Sequence, residues 1–217
     1  MKILSKISLT LLICTIHLAV PVYALEGRIE ISSPTSITAS GSYILVNDIV
    51  AQNGSAIRIR SSNVTLDLNG FAITYTGVST ADGISVSASA NNIEITNGTI
   101  TGFSRHGLFV PGLSTSARNI KINNLRVSDN RIIGISLESN PGFIVESCTI
   151  SGNAVGIYAN GFGLVSNNVI ALNNSSGLTS YSNGVLGFRS NVFYGNGKDV
   201  NGSATNLGEN LCSGALC

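Results

Sequence analysis

The stretch NNIEITNGTITGF, residues 91–103, decides the fold. Ile93 and Ile95 alternate with polar residues, as in a strand with one buried face. An Asn97-Gly98 turn follows, and then Ile100, five residues beyond Ile95. The same five-residue spacing joins Leu68/Ile73, Ile122/Val127, Val145/Ile150, Val165/Ile170 and Phe188/Phe193. The second members stand at 73, 100, 127, 150, 170 and 193, with separations of 27, 27, 23, 20 and 23 residues. A repeat of that length, tolerant of insertion, marks a solenoid.

Other columns fall into step. Three residues after the second anchor stand Asn130, Asn153, Asn173 and Asn196, read as structural turn residues. Their amides can bond the same amide one rung away. Gly-apolar pairs follow at Gly107-Leu108, Gly134-Ile135, Gly156-Ile157 and Gly177-Leu178, with glycine expected to relieve corners where φ turns positive. Leu66, Ile93, Ile120, Phe143 and Leu186 precede the first anchors by two. Each repeat thus reads as strand, tight turn, strand, Asn turn, short Gly-led strand and return loop. No 3.6-residue period supports a helical repeat. The expected fold is all-β, a parallel β-helix of about 7–8 short rungs stacked at the strand spacing of roughly 4.8 Å.

Composition agrees. The 217 residues include 24 Gly and 24 Asn, only 11% are charged, and there is no Trp. Gly and Asn disfavour a helix bundle. Twelve basic against eleven acidic residues leave +1, which offers no electrostatic footprint for nucleic acid. Lys2 and Lys6, the apolar run Leu9–Val20 and Val22-Tyr23-Ala24 have the layout of a secretory signal peptide over 1–24. Without it the basic count falls by two to ten, and the net charge is −1. No later apolar run approaches membrane-spanning length, so no membrane contact is expected after cleavage. Nothing in the sequence specifies an oligomeric state. Residues 25–50 read as an N-terminal cap and first coil, 51–196 as the repeats, and 197–217 as a C-terminal cap where the repeat breaks. In an oxidising compartment Cys212 and Cys217 are expected to close a terminal loop, with Cys148 a small buried residue.

The segments SNVTLDLNGFAIT (62–74), NNIEITNGTITGF (91–103), GFIVESCTISGNAVGI (142–157) and LVSNNVIALNNSSGL (164–178) resemble the right-handed parallel β-helix repeat proteins of the pectin-lyase-like superfamily, of exported bacterial type. ITASGSYILVNDIV (37–50) is similar to their opening segment. The resemblance spans the chain from about Ile29 onward. It implies a right-handed helix and a role connected with polysaccharide, while fold alone names no activity.

The outward positions of the first strand offer the candidate ligand face. Counted back six from the second anchor they are Asp67, Glu94, Lys121, Ile144, Leu164 and Gly187; counted back four, Asn69, Thr96, Asn123, Glu146, Ser166 and Arg189. Asp67, Glu94 and Glu146 are the catalytic candidates. Asn69, Lys121, Asn123 and Arg189 are the ligand-face candidates. A glycoside hydrolase would need two carboxylates some 5–10 Å apart. A lyase would need a base and a group to neutralise a uronate, often Ca²⁺. No metal site or resident cofactor is expected otherwise. Against an enzyme, the chain lacks the paired-Asp motif of polygalacturonases and the Trp-containing strand motifs of pectin and pectate lyases. A Glu94–Lys121 pair is also explained as an ordinary cross-strand ion pair. Arg105-His106-Gly107 reads as a return loop with His106 exposed. Arg58 and Arg60 alternate and share one face, and Arg118, Lys121, Arg126 and Arg131 fall in one repeat. The expected function is a non-catalytic glycan-binding or surface module. The alternative is a small lyase or hydrolase of acidic polysaccharide.

Overall fold

The computed structural model describes residues 27–112, 117–181, 185–213 and 215–217. The signal segment expected over 1–24 lies outside them. Among the described residues no helix forms. The chain winds as a right-handed parallel β-solenoid of about seven turns.

Three stacks of inward side chains build the core. The second-sheet stack is Ile49, Ile73, Ile100, Val127, Ile150, Ile170 and Phe193, each pairing with the next one rung along and each no more than 1% exposed. Every second anchor of the sequence pattern is in this stack. The first-sheet stack runs Tyr43, Leu66, Ile95, Ile122, Val145, Val165 and Phe188. The third runs Ile57, Ile84, Leu108, Ile135, Ile157 and Leu178. Burying one such aliphatic side chain contributes about 1.5–3 kcal/mol. The stacks leave a narrow interior, which suits a chain of β-branched residues.

The first sheet departs from the sequence pattern in one rung. Leu66, not Leu68, pairs with Ile95, and Val64, not Leu66, pairs with Ile93. Leu66 to Ile73 is seven residues, whereas Ile95 to Ile100 is five. The corner Leu68–Phe71 therefore carries two extra residues. Leu68 turns into the core with 0% exposure, and Asn69 adopts φ 52°.

Both corners flanking the second sheet use one device. A residue at positive φ is followed by an inward-pointing one, except that Asn97 is followed by Gly98. Before the second sheet the positive-φ residues are Asn97, Asn124, Ser147, Asn167, Ser190 and Glu209; after it, Gly102, Asp129, Gly152, Leu172 and Gly195. Short polar residues tolerate this conformation and glycine suffers no penalty in it. The residue that follows stacks. Asn130 donates to Asn153 (3.1 Å), Asn153 to Asn173 (3.1 Å) and Asn173 to Asn196 (2.9 Å), all through Nδ2–H to Oδ1. The four asparagines of the sequence column form this ladder. Each Oδ1 also accepts a backbone N–H, as from Phe103 to Asn130 (3.1 Å). A second ladder, which the sequence reading missed, joins Asn168, Asn191 and Asn210 at the other corner, with both steps at 3.0 Å. Cys148 precedes it in the column, its N–H bonded to Asn168 Oδ1. The thiol is free and buried, and burial pushes it up to about 12, so it stays protonated and unreactive at neutral pH.

The glycine column has a different cause from the one expected. Gly107, Gly134, Gly156 and Gly177 are not at positive φ. A Cβ on each would stand 2.6–2.8 Å from the backbone oxygen of the next rung. Glycine is there because backbones approach closely.

Residues 197–217 do not break the coil at once. Val200–Gly202, Thr205–Asn206 and Leu211–Cys212 pair in parallel with the third, first and second sheets respectively. Only then does Ala215–Leu216 turn back antiparallel against Leu211–Cys212, covering a strand edge. The Cys212–Cys217 disulfide, Cα–Cα 5.0 Å, closes this hairpin. A loop this short contributes about 2 kcal/mol in the chain-entropy account.

Candidate functional site

The two-residue correction rearranges the candidate face. One outward column of the first sheet is Thr65, Glu94, Lys121, Ile144, Leu164 and Gly187. The other is Asp67, Thr96, Asn123, Glu146, Ser166 and Arg189. Asp67 thus pairs with Thr96 and does not share a column with Glu94. Asn69 leaves the sheet for the corner, where its Nδ2 donates to Leu45 O (3.2 Å). In LDLNG both Leu66 and Leu68 are apolar, so either register satisfies the alternation.

The structure brings four of the polar candidates into contact, together with Thr96. Lys121 Nζ lies between Glu94 Oε1 (3.5 Å) and Glu146 Oε1 (3.4 Å). These distances place the two carboxylate oxygens at most 6.9 Å apart (3.5 + 3.4). Asn123 Nδ2 donates to Glu94 Oε1 (3.0 Å), and Thr96 Oγ1 donates to Asn123 Oδ1 (2.6 Å). The hydrogen bond with Glu146, then the charge of Glu94, raise the Lys121 ammonium above its usual value. Asp67 is occupied elsewhere. Its Oδ2 accepts from Arg28 Nη1 (2.9 Å), and its Oδ1 from the Asn69 N–H (2.7 Å) and Asn97 Nδ2 (3.2 Å). Arg189 stands at the far end of the face, exposed. Ile144, 39% exposed, follows Lys121 in its column, and Phe162, 58% exposed, precedes Leu164 by two residues. The face is a flat polar lattice beside apolar side chains. A depression of about 240 Å³ lies between Thr65, Asn92, Glu94, Asn119 and Lys121.

The fit to Ca²⁺ is poor. A calcium ion takes six to eight oxygens. Here the acids are held by cations, and among the described residues no three His, Cys, Asp or Glu side chains converge as a metal site would require.

A second polar cluster was invisible in the repeat pattern. Asp82 is 4% exposed and accepts from Arg105 Nε (2.8 Å) and Nη2 (2.6 Å), a bidentate pair one rung apart. His106 is not an exposed loop residue. It opens the third-sheet strand His106–Val110, is 8% exposed, and puts Nδ1 3.2 Å from Asp82 Oδ1, off the line of a good hydrogen bond. Arg105 also lies over the Phe109 ring at 4.7 Å. Burial pushes the Asp82 carboxyl up, but His106 and then Arg105 pull it down further, leaving it below its usual 3.8. Lowered in the folded state, this carboxylate stabilises the fold above about pH 4, and the contribution disappears as pH falls through the lowered value. Asp82→Asn is expected to cost about 2 kcal/mol at pH 7. The gap to wild type should narrow in thermal melts as pH falls below about 4; a gap constant from pH 7 to pH 3 would contradict the assignment.

Arg118, Lys121, Arg126 and Arg131 do not form one patch. Lys121 is on the first sheet, Arg126 on the second, where its Nε donates to Thr99 Oγ1 (3.3 Å), and Arg118 and Arg131 lie outside the strands. A single rung distributes its side chains around the circumference.

The fold is similar to that of the enzymatically active domain of bacteriophage CBA120 tailspike protein 2, with TM-score 0.39, 12% identity, and coverage of 81% of this chain and 39% of that domain. The chain therefore spans about two fifths of the tailspike domain. It is also similar to the A-module of the Azotobacter vinelandii mannuronan C-5 epimerase AlgE6, with TM-score 0.36, 11% identity, and coverage of 86% and 91%. No curated protein matches the sequence. The family described as the right-handed beta helix region matches residues 27–161 and again 78–211, registering twice on the same internal repeat. With three stacked parallel sheets behind that match, the chain belongs to the right-handed β-helix family.

Proposed function

We propose that the protein is an exported, non-catalytic β-helix that binds glycan through the outer face of its first sheet, as a surface or structural module. One observation carries this reading: each candidate carboxylate is held in an ion pair, Glu94 and Glu146 with one shared Lys121 and Asp67 with Arg28. Glu94 and Glu146 are thus both tied to Lys121, and neither is presented free to a bound sugar. A glycosidase needs one of its pair as a proton donor. What remains suits contact with sugars, with amide and hydroxyl groups for hydroxyls and exposed Ile144 and Phe162 for apolar ring faces. The Cys212–Cys217 disulfide is in keeping with an oxidising compartment.

The spacing of Glu94 and Glu146, at most 6.9 Å, is what favours the alternative of a small hydrolase or lyase. Incubation with neutral and acidic polysaccharides, read for new reducing ends and for unsaturated uronate absorbance, separates the two. The expected result is retention on at least one glycan without turnover, and weaker retention for Asn123→Ala. Turnover that disappears in Glu94→Gln or Glu146→Gln would overturn the binding-only reading.

A further inference from the structure

Arg28, Arg105 and Lys121 all sit on carboxylates. Arg58 and Arg60 do not: among the described residues neither makes an ion pair. Other basic side chains also lack one; what sets Arg58 and Arg60 apart is that they stand two residues apart on one strand face. They are two apart on and just beyond the third-sheet strand Ile57–Ile59, so both project from its outer face. Ser85 pairs directly with Arg58 on the next rung, and Ser87 follows two residues on, tied through its N–H to Ile59 O (2.8 Å). Arg-x-Arg thus lies beside Ser-x-Ser. Together with Ile59 these four line an open depression of about 450 Å³, larger than the one on the first sheet and within the size range of small-molecule sites. Arg58 lies against Gly54, where an added Cβ would stand 2.6 Å from Nη2, so the loop backbone helps to position its guanidinium.

We infer that this depression is an oxyanion subsite that takes the carboxylate or sulfate of an acidic glycan. Two guanidinium groups present ten N–H donors and two serines add hydroxyls, a set matched to planar or tetrahedral oxyanions. The site is open, as it must be for a group carried on a polymer. The positive charge is confined to two side chains with no basic stripe, which does not match the phosphate track of a nucleic acid. The ligand class rests on the reading of the protein as a glycan binder. The location is new: this site is on the third sheet, away from Glu94, Lys121 and Glu146.

Affinity electrophoresis in gels containing polygalacturonate, alginate, heparin or neutral dextran tests it. Wild type, Arg58→Ala/Arg60→Ala and the equal-charge control Arg118→Ala/Lys198→Ala are compared, with circular dichroism confirming folding. Wild type should be retarded by at least one acidic glycan. The Arg58/Arg60 pair should weaken that retention about tenfold or more, the loss of roughly one charge-assisted contact, while the control pair retains it. Equal losses in both pairs, no loss at Arg58/Arg60, or no retention by any acidic glycan overturns the inference. Isothermal titration with sulfate and phosphate covers the other source of the same chemistry. Free anions binding as tightly as the polymer, through the same arginines, would make this a small-anion site and overturn the glycan assignment. Retention by neutral dextran is read separately and bears only on the first-sheet proposal.

Discussion

Asn153→Ala is expected to lower the unfolding free energy by about 3–5 kcal/mol. Asn153 is 0% exposed. Its Oδ1 accepts from the Asn130 N–H (3.0 Å) and Asn130 Nδ2 (3.1 Å). Its Nδ2 donates to Ser151 O (3.0 Å), Asn173 Oδ1 (3.1 Å) and Val127 O (3.3 Å). Truncation leaves the backbone N–H of Asn130, itself 1% exposed, without that acceptor and out of reach of bulk water. Each stranded buried group costs about 1–3 kcal/mol, and the ladder is a chain in which neighbours polarise one another. Urea unfolding with an unchanged m-value would measure the loss. The neighbouring exposed Asn174→Ala should change stability by less than about 0.5 kcal/mol. A cost under about 1 kcal/mol at Asn153 would show that the ladder does not hold the corner together.

Gly156→Ala should be nearly as damaging, at about 3 kcal/mol or more, although it adds a single methyl group. The new Cβ would stand 2.6 Å from Gly177 O, 2.8 Å from Asn173 Nδ2 and 2.9 Å from Ile170 Cγ2. The first contact is backbone of the next rung, so relief requires the rungs to separate, which strains the parallel pairing on both sides. Gly156 is not at positive φ, so the penalty is steric. Gly70→Ala is the counterpart. There φ is +81° and nothing lies within 4 Å, so the cost should be only about 1–2 kcal/mol, that of a left-handed alanine. If both substitutions cost the same, the close-approach explanation for the glycine column is wrong.

These two positions also show how far the sequence could be read. The Asn column and the Gly column were both visible as spacings, because every rung repeats the same short-range alternation of buried and exposed residues. The role of asparagine followed from its chemistry. The role of glycine did not, because the atom it avoids belongs to the next rung, about twenty residues later in the chain. The Asn168–Asn191–Asn210 ladder was missed for a related reason: the same column holds Cys148 one rung earlier, so no uniform residue type announced it.

The candidate face divides in the same way. That Glu94, Lys121, Asn123 and Glu146 share a surface follows from counting residues, since strand alternation settles which side chains point outward. That Asp67 pairs with Thr96 instead of Glu94 depended on a corner two residues longer than its neighbours, with Leu68 folded inward. The Asp82–Arg105–His106 cluster lies in no repeat column and exists only because adjacent rungs bring residues 82 and 105 together. The sequence by itself determined the solenoid, its period, its core stacks and its main Asn ladder, because local alternation and turn chemistry are written into each rung. Only the tertiary structure decided which charges neutralise one another and which, like Arg58 and Arg60, remain without an ion pair. Those pairings cross between rungs, and their register is set by the lengths of the turns between them.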